Sequence, residues 1–400
     1  METRRGKKKR LMKSQNQDIP KEIVYLILSK LPVKSLARFK CVSRTWKSLI
    51  SNIQGQEKSI FYLKPKEGNM LFYTVDSELI VKELPIPFLD LPKKDFRYLG
   101  SCNGLLLFGV SKCIYLWNPM TRCCKEVLQL NFLAEKFAVA ASGLCFDDST
   151  NDYKVVIAIQ NWSVIKFVLV GSIKSKEWSQ INFPYAMAWS RCYVNGRLHW
   201  IVRERKLDPH LIASFDTKIF SKLIVYFDAK TLEFKEFPMP DIVYSINGEL
   251  RVVDGCLCMA DMTISKSQIL IMREYGVKES WTTIWNGAVP KGNGKGRRFR
   301  RPGINRQMLA TSEELLVAKF RHLWCFSVWD LKLNLKENSV QFPLKSCSDD
   351  MIWDTYIESL VPVDGETPDS SRHTKTFEDK IKWLPESERS TGMVSSNPVL

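Results

Sequence analysis

Apolar residues recur at helical spacing near the start of the chain and at strand spacing further along. The helical repeat consists of aliphatic residues three or four positions apart: Ile19, Ile23, Leu26 and Ile27. We expect Asp18 to cap this helix and Pro20 and Glu22 to lie in its first turn, where proline loses no needed N–H group. Leu31-Pro32 predicts the end of the helix, because proline disfavours helical backbone at the preceding residue.

Two further short helices are predicted after this proline. The second spans Val33 to Cys41, and Ser43 is placed to cap a third that carries Trp46, Leu49 and Ile50 on one side. A unit of roughly 40 residues rarely stabilises itself without disulfides, a metal or a partner. This one has a single cysteine and no metal pattern, yet its apolar residues fall on more than one helical face. We therefore expect the outward set to be buried against another protein.

Strand patterns dominate from about residue 61 to residue 361, where short β-branched and aromatic runs alternate with turn residues. Similar segments place a hairpin-forming pair between two apolar runs: Asn103-Gly104, Asn195-Gly196 and Asp254-Gly255. These glycines are 92 and 59 residues apart, which fits a repeat near 50 residues and a propeller of five to seven blades. A second repeat, a strand, a polar turn and another strand, begins at Trp117-Asn118 and at Phe227-Asp228. No Gly-Gly pair occurs, which argues against a kelch repeat in the strict sense.

Composition is that of a soluble globular protein of about two domains. The 400 residues are 45% hydrophobic and 26% charged. Neither a secretory signal nor an uninterrupted apolar stretch of about 18 residues is present, so we expect no membrane association. The eleven cysteines include no C-x-x-C pair, which favours reduced thiols in the cytosol or nucleus.

The net charge of +16 is concentrated in two short stretches that hold twelve of these charges. The N-terminal stretch contains a run that fits either a nuclear import signal or a solubilising tail: Arg4, Arg5, Lys7, Lys8, Lys9 and Arg10. The second, between residues 291 and 301, fits a solvated loop or a contact for an acidic partner or RNA. Because the remaining body is only mildly basic, binding of nucleic acid over the whole surface is not expected.

The sequence contains no recognisable catalytic motif. His199 lies in an apolar strand pattern and is interpreted as a core histidine. There is no H-x-x-x-H or Cys/His cluster, no G-x-S-x-G elbow and no phosphate-binding glycine loop. We expect no catalytic residue, no metal and no cofactor.

The helical segment resembles an F-box of the form common in plants. The matching segments are Ile19-Pro20-x-Glu22-Ile23, Leu31-Pro32-Val33-Lys34-Ser35-Leu36 and Cys41-Val42-Ser43-Arg44-Thr45-Trp46-Lys47-Ser48-Leu49-Ile50. The resemblance implies three helices that dock on a Skp-type adaptor, which in turn binds a cullin. The adaptor contacts that it carries over are Pro20, Ile23, Leu31, Pro32, Leu36, Val42, Trp46 and Leu49.

The strand-rich body resembles the F-box-associated domain of plant F-box proteins. Matching segments follow the family's order: Gly100–Leu105, Leu116–Arg122, Phe146–Val156, Val194–Trp200, Ile224–Asp228, Asp254–Met259 and Met272–Trp281. The implied fold is an α+β multidomain protein, in which a small three-helix F-box precedes an all-β, propeller-like domain. We place a basic disordered tail at 1–13, the F-box at 14–55, the β domain at 56–362 with a basic insertion near 289–306, and a disordered tail at 363–400.

The resemblance implies a substrate-recognition subunit of a Skp–cullin–F-box (SCF) ubiquitin ligase, which marks a target for proteasomal degradation. Its expected partners are a Skp-type adaptor, a cullin reached through it, and a target that the sequence does not identify. The alternative is a non-proteolytic F-box protein that acts through its basic stretches on nuclear or acidic partners. Either function places the protein in the nucleus, the cytoplasm or both.

Overall fold

The chain divides into two compact units, residues 1–54 and 55–400. The computed structural model describes residues 19–51, 53, 58–66, 69–75, 81–86, 96–110, 112–130, 137–161, 164–204, 222–241, 248–262, 267–287, 307–310, 315–319, 325–330, 335–341 and 352–363. Both basic stretches and the predicted C-terminal tail beyond residue 363 lie outside the described residues.

The first unit contains three helices: α1 Lys21–Ser29, α2 Val33–Phe39 and α3 Arg44–Ser51. Pro20 is the N-cap of α1 rather than part of its first turn, and its carbonyl oxygen accepts hydrogen bonds from the N–H groups of Ile23 and Val24. The predicted cap Asp18 lies outside the described residues. Helix α2 ends at Phe39, two residues before the predicted Cys41. Within the described part of the chain, no helix has the length and apolar content needed to cross a membrane.

The second unit is built from antiparallel sheets of four strands, six of them in the described residues. The first three in chain order contain β1 Lys58–Lys66, β2 Asn69–Val75 and β3 Val81–Leu84; β4 Arg97–Cys102, β5 Leu105–Val110, β6 Cys113–Asn118 and β7 Cys123–Gln129; and β8 Phe137–Asp147, β9 Asp152–Asn161, β10 Val164–Ser172 and β11 Trp178–Ile181. The next three contain β12 Tyr185–Val194, β13 Arg197–Glu204, β14 Lys222–Asp228 and β15 Glu233–Phe237; β16 Glu249–Val253, β17 Cys256–Met262, β18 Ser267–Met272 and β19 Trp281–Gly287; and β20 Gln307–Ala310, β21 Leu315–Lys319, β22 Cys325–Asp330 and β23 Leu335–Gln341. The last strand, β24 Ile352–Ile357, completes the first sheet in the order β24-β1-β2-β3.

The predicted hairpin turns are confirmed. Each joins the first two strands of a sheet, and both central residues have positive φ: 49° and 81° at Asn103-Gly104, 50° and 74° at Asn195-Gly196, and 47° and 80° at Asp254-Gly255. Such backbone matches the twist of paired strands, and Asn, Asp and Gly adopt it most readily. The second repeat also forms as predicted, because the side chains of Asn118 and Asp228 each accept two backbone N–H bonds in the turn that leads to the fourth strand.

The core of this unit lies between neighbouring sheets, and its clusters bury the second, third and fourth sheets on both faces. In β9, Val155, Ile157 and Ile159 pack against the second sheet, whereas Val156 and Ala158 pack against the fourth. Strand side chains alternate between faces, and continuous apolar runs are therefore required where both faces are covered. The inner strands β4, β8, β12 and β16 contact one another in succession. This is radial packing of blades, and the predicted propeller-like fold is confirmed.

Strand β24, which follows the other strands in the chain, pairs with the first strand of the domain, β1. Strand β24 pairs with β1 from Lys58↔Ile357 to Leu63↔Ile352. Beyond it, the buried Asn118 donates hydrogen bonds from Nδ2 to the carbonyl oxygens of Ser359 (3.1 Å) and Val361 (2.7 Å). Val363, which was assigned to the C-terminal tail, is buried in the core between the second and third sheets. The ordered domain thus includes at least one residue more than predicted.

His199 is a core histidine, as predicted. It is fully buried in β13; its Nε2 lies 2.9 Å from the Tyr275 hydroxyl and its Nδ1 3.2 Å from the Arg197 carbonyl oxygen. Burial lowers the pKa of His199 to about 3. Because the ring stays neutral, it serves as a packed polar group rather than a proton carrier.

This pKa predicts an acid-dependent loss of stability. An unfolded histidine titrates near pH ~6.5, so below that pH the unfolded chain takes up a proton that the folded chain does not. We expect His199 to remove about 1.6 kcal/mol of unfolding free energy between pH 6.5 and pH 5. Urea unfolding of wild type and His199→Gln at both pH values measures this contribution. An equal drop in the two proteins would contradict it.

Candidate docking surface on the helical unit

The three helices begin at residues that supply local hydrogen bonds. Pro20 and Pro32 are the N-caps of α1 and α2, and the Pro32 carbonyl oxygen accepts bonds from the N–H groups of Ser35 and Leu36. Ser43 accepts a 3.1 Å hydrogen bond from the Trp46 N–H group on its hydroxyl oxygen, so the predicted cap of α3 is confirmed. Proline and serine satisfy these positions because each suits the non-helical backbone before a first turn.

Helix α1 is apolar on two opposite sides. Leu28 faces inward and is 1% exposed, and Val24, one turn before it, is half-buried. Ile23, Leu26 and Ile27 lie on the other side and are 45%, 54% and 53% exposed. Residues three and four apart share a helix face, so the exposed three form one continuous stripe.

Exposed large apolar side chains occur only in the helical unit, among the residues that the structure describes. They are Ile19, Ile23, Tyr25, Leu26, Ile27 and Val42. Single exposed apolar residues are ordinary on protein surfaces, but a contiguous set marks an interaction site. No large apolar side chain that the structure describes in the β unit is exposed, so the helical unit is the candidate docking surface. We call the stripe of Ile23, Leu26 and Ile27 the α1 face.

The predicted adaptor contacts fall into exposed and buried groups. Pro20, Ile23, Pro32 and Val42 are exposed, whereas Leu31, Trp46 and Leu49 are half-buried. The Trp46 ring packs edge-on against Phe39 at 5.5 Å between ring centroids, which joins α3 to α2. Leu36 is 4% exposed and lies in the interior, so it is not available to a partner in this structure.

Four exposed apolar residues lie outside the predicted set of contacts: Ile19, Tyr25, Leu26 and Ile27. The spacing of the aliphatic residues predicted the helix, but periodicity alone does not say which face is inside. The pair Val24 and Leu28, also spaced by four, provided the missing signal, because it defines a second apolar face that the helical unit buries.

The helical unit is strongly basic. Residues 19–53 contain seven lysines and arginines against one glutamate, Glu22. Partial burial and, next, the charge of Lys47 lower the pKa of Lys40. An apolar face on a positively charged unit favours a partner surface that is apolar at the contact and acidic around it.

Substitutions separate the interior role of Leu36 from the surface role of Ile23. Leu36→Ala empties a buried site and is expected to cost about 2–5 kcal/mol, enough to unfold so small a unit. Ile23→Ala removes an exposed side chain and should change stability by less than about 0.5 kcal/mol. Hydrogen exchange of the amides in residues 21–51 distinguishes the two, and equal protection in both variants would contradict the assignment of Leu36 to the interior.

Comparison with known families matches both units. The F-box domain matches residues 17–54, and the F-box associated beta propeller domain matches residues 61–363, about three quarters of the chain. The chain belongs to this family of F-box proteins. The F-box therefore coincides with the helices that expose the α1 face, and the associated domain with the six sheets.

Similar proteins are F-box proteins of Arabidopsis thaliana. The F-box/kelch-repeat protein At3g23880 is 28% identical over 302 residues, which cover 67% of this chain and 79% of that protein. F-box protein CPR1 is 28% identical over 315 residues, which cover 68% of this chain and 74% of that protein. The resemblance to plant F-box proteins that carry an F-box-associated domain is confirmed.

Proposed function

We propose that this F-box protein is the substrate-recognition subunit of an SCF ubiquitin ligase. The observation that carries the proposal is the α1 face: a folded helical unit of F-box sequence exposes Ile23, Leu26 and Ile27, while the β unit hides its large apolar residues in the described segments. An F-box implies a Skp-type adaptor as its partner. A basic, apolar surface suits an adaptor of acidic character.

Burial of the α1 face supplies the binding energy in this account. Full burial of an isoleucine or leucine is worth about 1.5–3 kcal/mol, so covering the exposed half of each of three side chains contributes roughly 3 kcal/mol before the costs of association. Ile19 and Val42, exposed by 59% and 60%, add to this if the adaptor covers them. The proposed contacts are therefore the exposed Ile19, Pro20, Ile23, Leu26, Ile27, Pro32 and Val42 and the half-buried Leu31, Trp46 and Leu49, with Leu36 in a supporting position.

The receptor contributes proximity rather than chemistry. The helical unit binds the adaptor and the β unit binds the target, so that a lysine of the target is held near the ubiquitin-loaded conjugating enzyme. Holding two reactants together raises their effective concentration without an acid, base or nucleophile from this chain. The mechanism accordingly needs two folded units and no catalytic residue in either.

Reconstitution tests the proposed function. The full chain is combined with a Skp-type adaptor, a cullin, its RING subunit, the two ubiquitin-transfer enzymes, ubiquitin and ATP. We expect ubiquitin conjugates on proteins that co-purify with the chain, and we expect Leu31→Ala, Pro32→Ala to reduce them. Conjugates of equal amount without the adaptor would contradict the proposal, as would adaptor binding that never leads to conjugates on any bound protein.

A further inference from the structure

A cavity of about 280 Å³ lies where inner strands of four sheets approach one another. Its walls are residues of β4, β12, β16 and β24 together with the turns that follow β4, β12 and β16. The volume lies near the lower end of the range for ligand pockets, about 300 Å³, so a single side chain or a small ligand fits. The four strands come from distant parts of the sequence, and the three predicted hairpin turns contribute Asn103, Gly104, Asn195 and Gly255 to the walls.

Three charged side chains line the cavity among the described residues: Arg191, Arg251 and Asp354. Arg251 is already neutralised, because its Nη2 lies 2.8 Å from the Glu249 carboxylate. Although burial opposes it, the charges of Glu249 and then Asp354 raise the pKa of Arg251. The Arg251 side of the cavity therefore holds a satisfied cation between two carboxylates.

Arg191 is in a different position. Its Nη2 donates a 3.1 Å hydrogen bond to the Tyr98 carbonyl oxygen, and its guanidinium carbon lies 4.7 Å from the centroid of the Tyr98 ring. Its Nε–H group is buried and has no hydrogen-bond partner. Among the described residues no carboxylate forms an ion pair with this half-buried cation, although the Asp354 carboxylate lines the same cavity.

Among the neighbouring groups, the Asp354 carboxylate acts on Arg251, and two others carry no charge. Burial raises the pKa of the Tyr98 hydroxyl and of the Cys192 thiol well above their usual ranges, so both remain neutral. Gly100 leaves room for the guanidinium, since a Cβ there would lie 3.3 Å from Arg191 Nε. A partly buried guanidinium is stabilised best by a carboxylate, which it binds through two parallel N–H bonds.

We propose that this cavity recognises a carboxylate of the target, carried by an aspartate or glutamate side chain, with Arg191 as its counter-ion. The proposal rests on the receptor function, because it names the chemistry by which the β unit recognises its target. It assigns target specificity to this cavity between the inner strands, on residues other than those of the adaptor-binding α1 face. The cavity is large enough for one acidic side chain.

Paired peptides test this site on the full chain. The probe is an array of random-sequence decapeptides with one central glutamate, each matched to a twin with glutamine. Wild type is expected to retain a subset of the glutamate peptides about tenfold better than their twins, the effect of a charge-assisted hydrogen bond. Arg191→Gln should abolish this preference. Arg197→Gln is the matched control, because Arg197 likewise stacks on a tyrosine ring, that of Tyr226, at 4.9 Å. It should keep the preference, since Arg197 does not line the cavity.

Three outcomes would overturn the proposal: equal retention of glutamate and glutamine peptides, an unchanged preference in Arg191→Gln, or an equal loss of preference in Arg197→Gln.

A second experiment uses free glutarate as the ligand. If glutarate raises the melting temperature of wild type but not of Arg191→Gln, and no glutamate peptide is retained, the ligand is a small carboxylate rather than a target side chain. Adaptor binding is measured on the same variants, and we expect Arg191→Gln to leave it intact. Failure of the cavity is thus distinguishable from failure of the receptor function.

Discussion

Gly104→Ala is expected to lower the unfolding free energy of the β unit by about 3 kcal/mol, and Gly196→Ala by only about 1–2 kcal/mol. Both glycines have positive φ, +81° and +74°, at the same position of an Asn-Gly hairpin, so both substitutions introduce the same backbone strain. A Cβ at Gly104 would also lie 2.5 Å from the Ile357 carbonyl oxygen and against the Ser359 side chain, whereas nothing lies within 4 Å of one at Gly196. Only the first change pushes on the segment that closes the propeller.

Urea unfolding followed by tryptophan fluorescence compares the two variants, and Gly255→Ala provides a second control with φ of +80° and open space. The difference between Gly104→Ala and the mean of the two controls isolates the clash from the strain. Three equal losses would show that residues 357–359 do not pack on the first hairpin of the second sheet.

Ile23→Glu combined with Leu26→Glu is expected to weaken binding of a Skp-type adaptor by more than about 100-fold, which corresponds to about 2.7 kcal/mol. The double variant removes two of the three side chains of the α1 face and requires two charges to be desolvated in the interface. Because both positions are about half exposed, the fold of the helical unit should persist. Isothermal titration calorimetry measures the affinity, and circular dichroism at 222 nm measures the retained helix.

Gln180→Glu is the control for the effect of added negative charge. Gln180 is exposed on β11, far from the helices in sequence. This control should bind the adaptor like wild type. Wild-type affinity in the double variant would show that the adaptor uses another surface. Loss of helix in the double variant would indicate that Ile23 and Leu26 support the fold from the interior of the unit, in disagreement with the structure.

Much of the fold is predictable from local sequence. Asn-Gly and Asp-Gly pairs predicted three hairpins because few other residues tolerate two consecutive positive φ angles. Leu105–Phe108 is a continuous apolar run, which is typical of a strand buried on both faces, and each of its four residues is fully buried. Ser43 was recognisable as a cap because its hydroxyl reaches the first turn of α3 from a fixed sequence offset.

Features that depend on distant contacts were not predictable. Nothing near residue 352 indicates that β24 pairs with β1, since a strand pattern does not encode its partner. The orientation of α1 required knowledge of which apolar face the other helices cover. The cavity remained hidden for the same reason, because Arg191, Arg251 and Asp354 come together only when the inner strands of three sheets are assembled.

Titration of the full chain with a purified Skp-type adaptor tests the central claim most directly, because every step of the proposed receptor function depends on that complex. We predict a one-to-one complex with a dissociation constant below about 1 μM, equivalent to about 8 kcal/mol, and weaker binding as salt screens the basic surround of the α1 face. Absence of binding at about 100 μM adaptor, by a chain whose helices and sheets are intact, would contradict the claim.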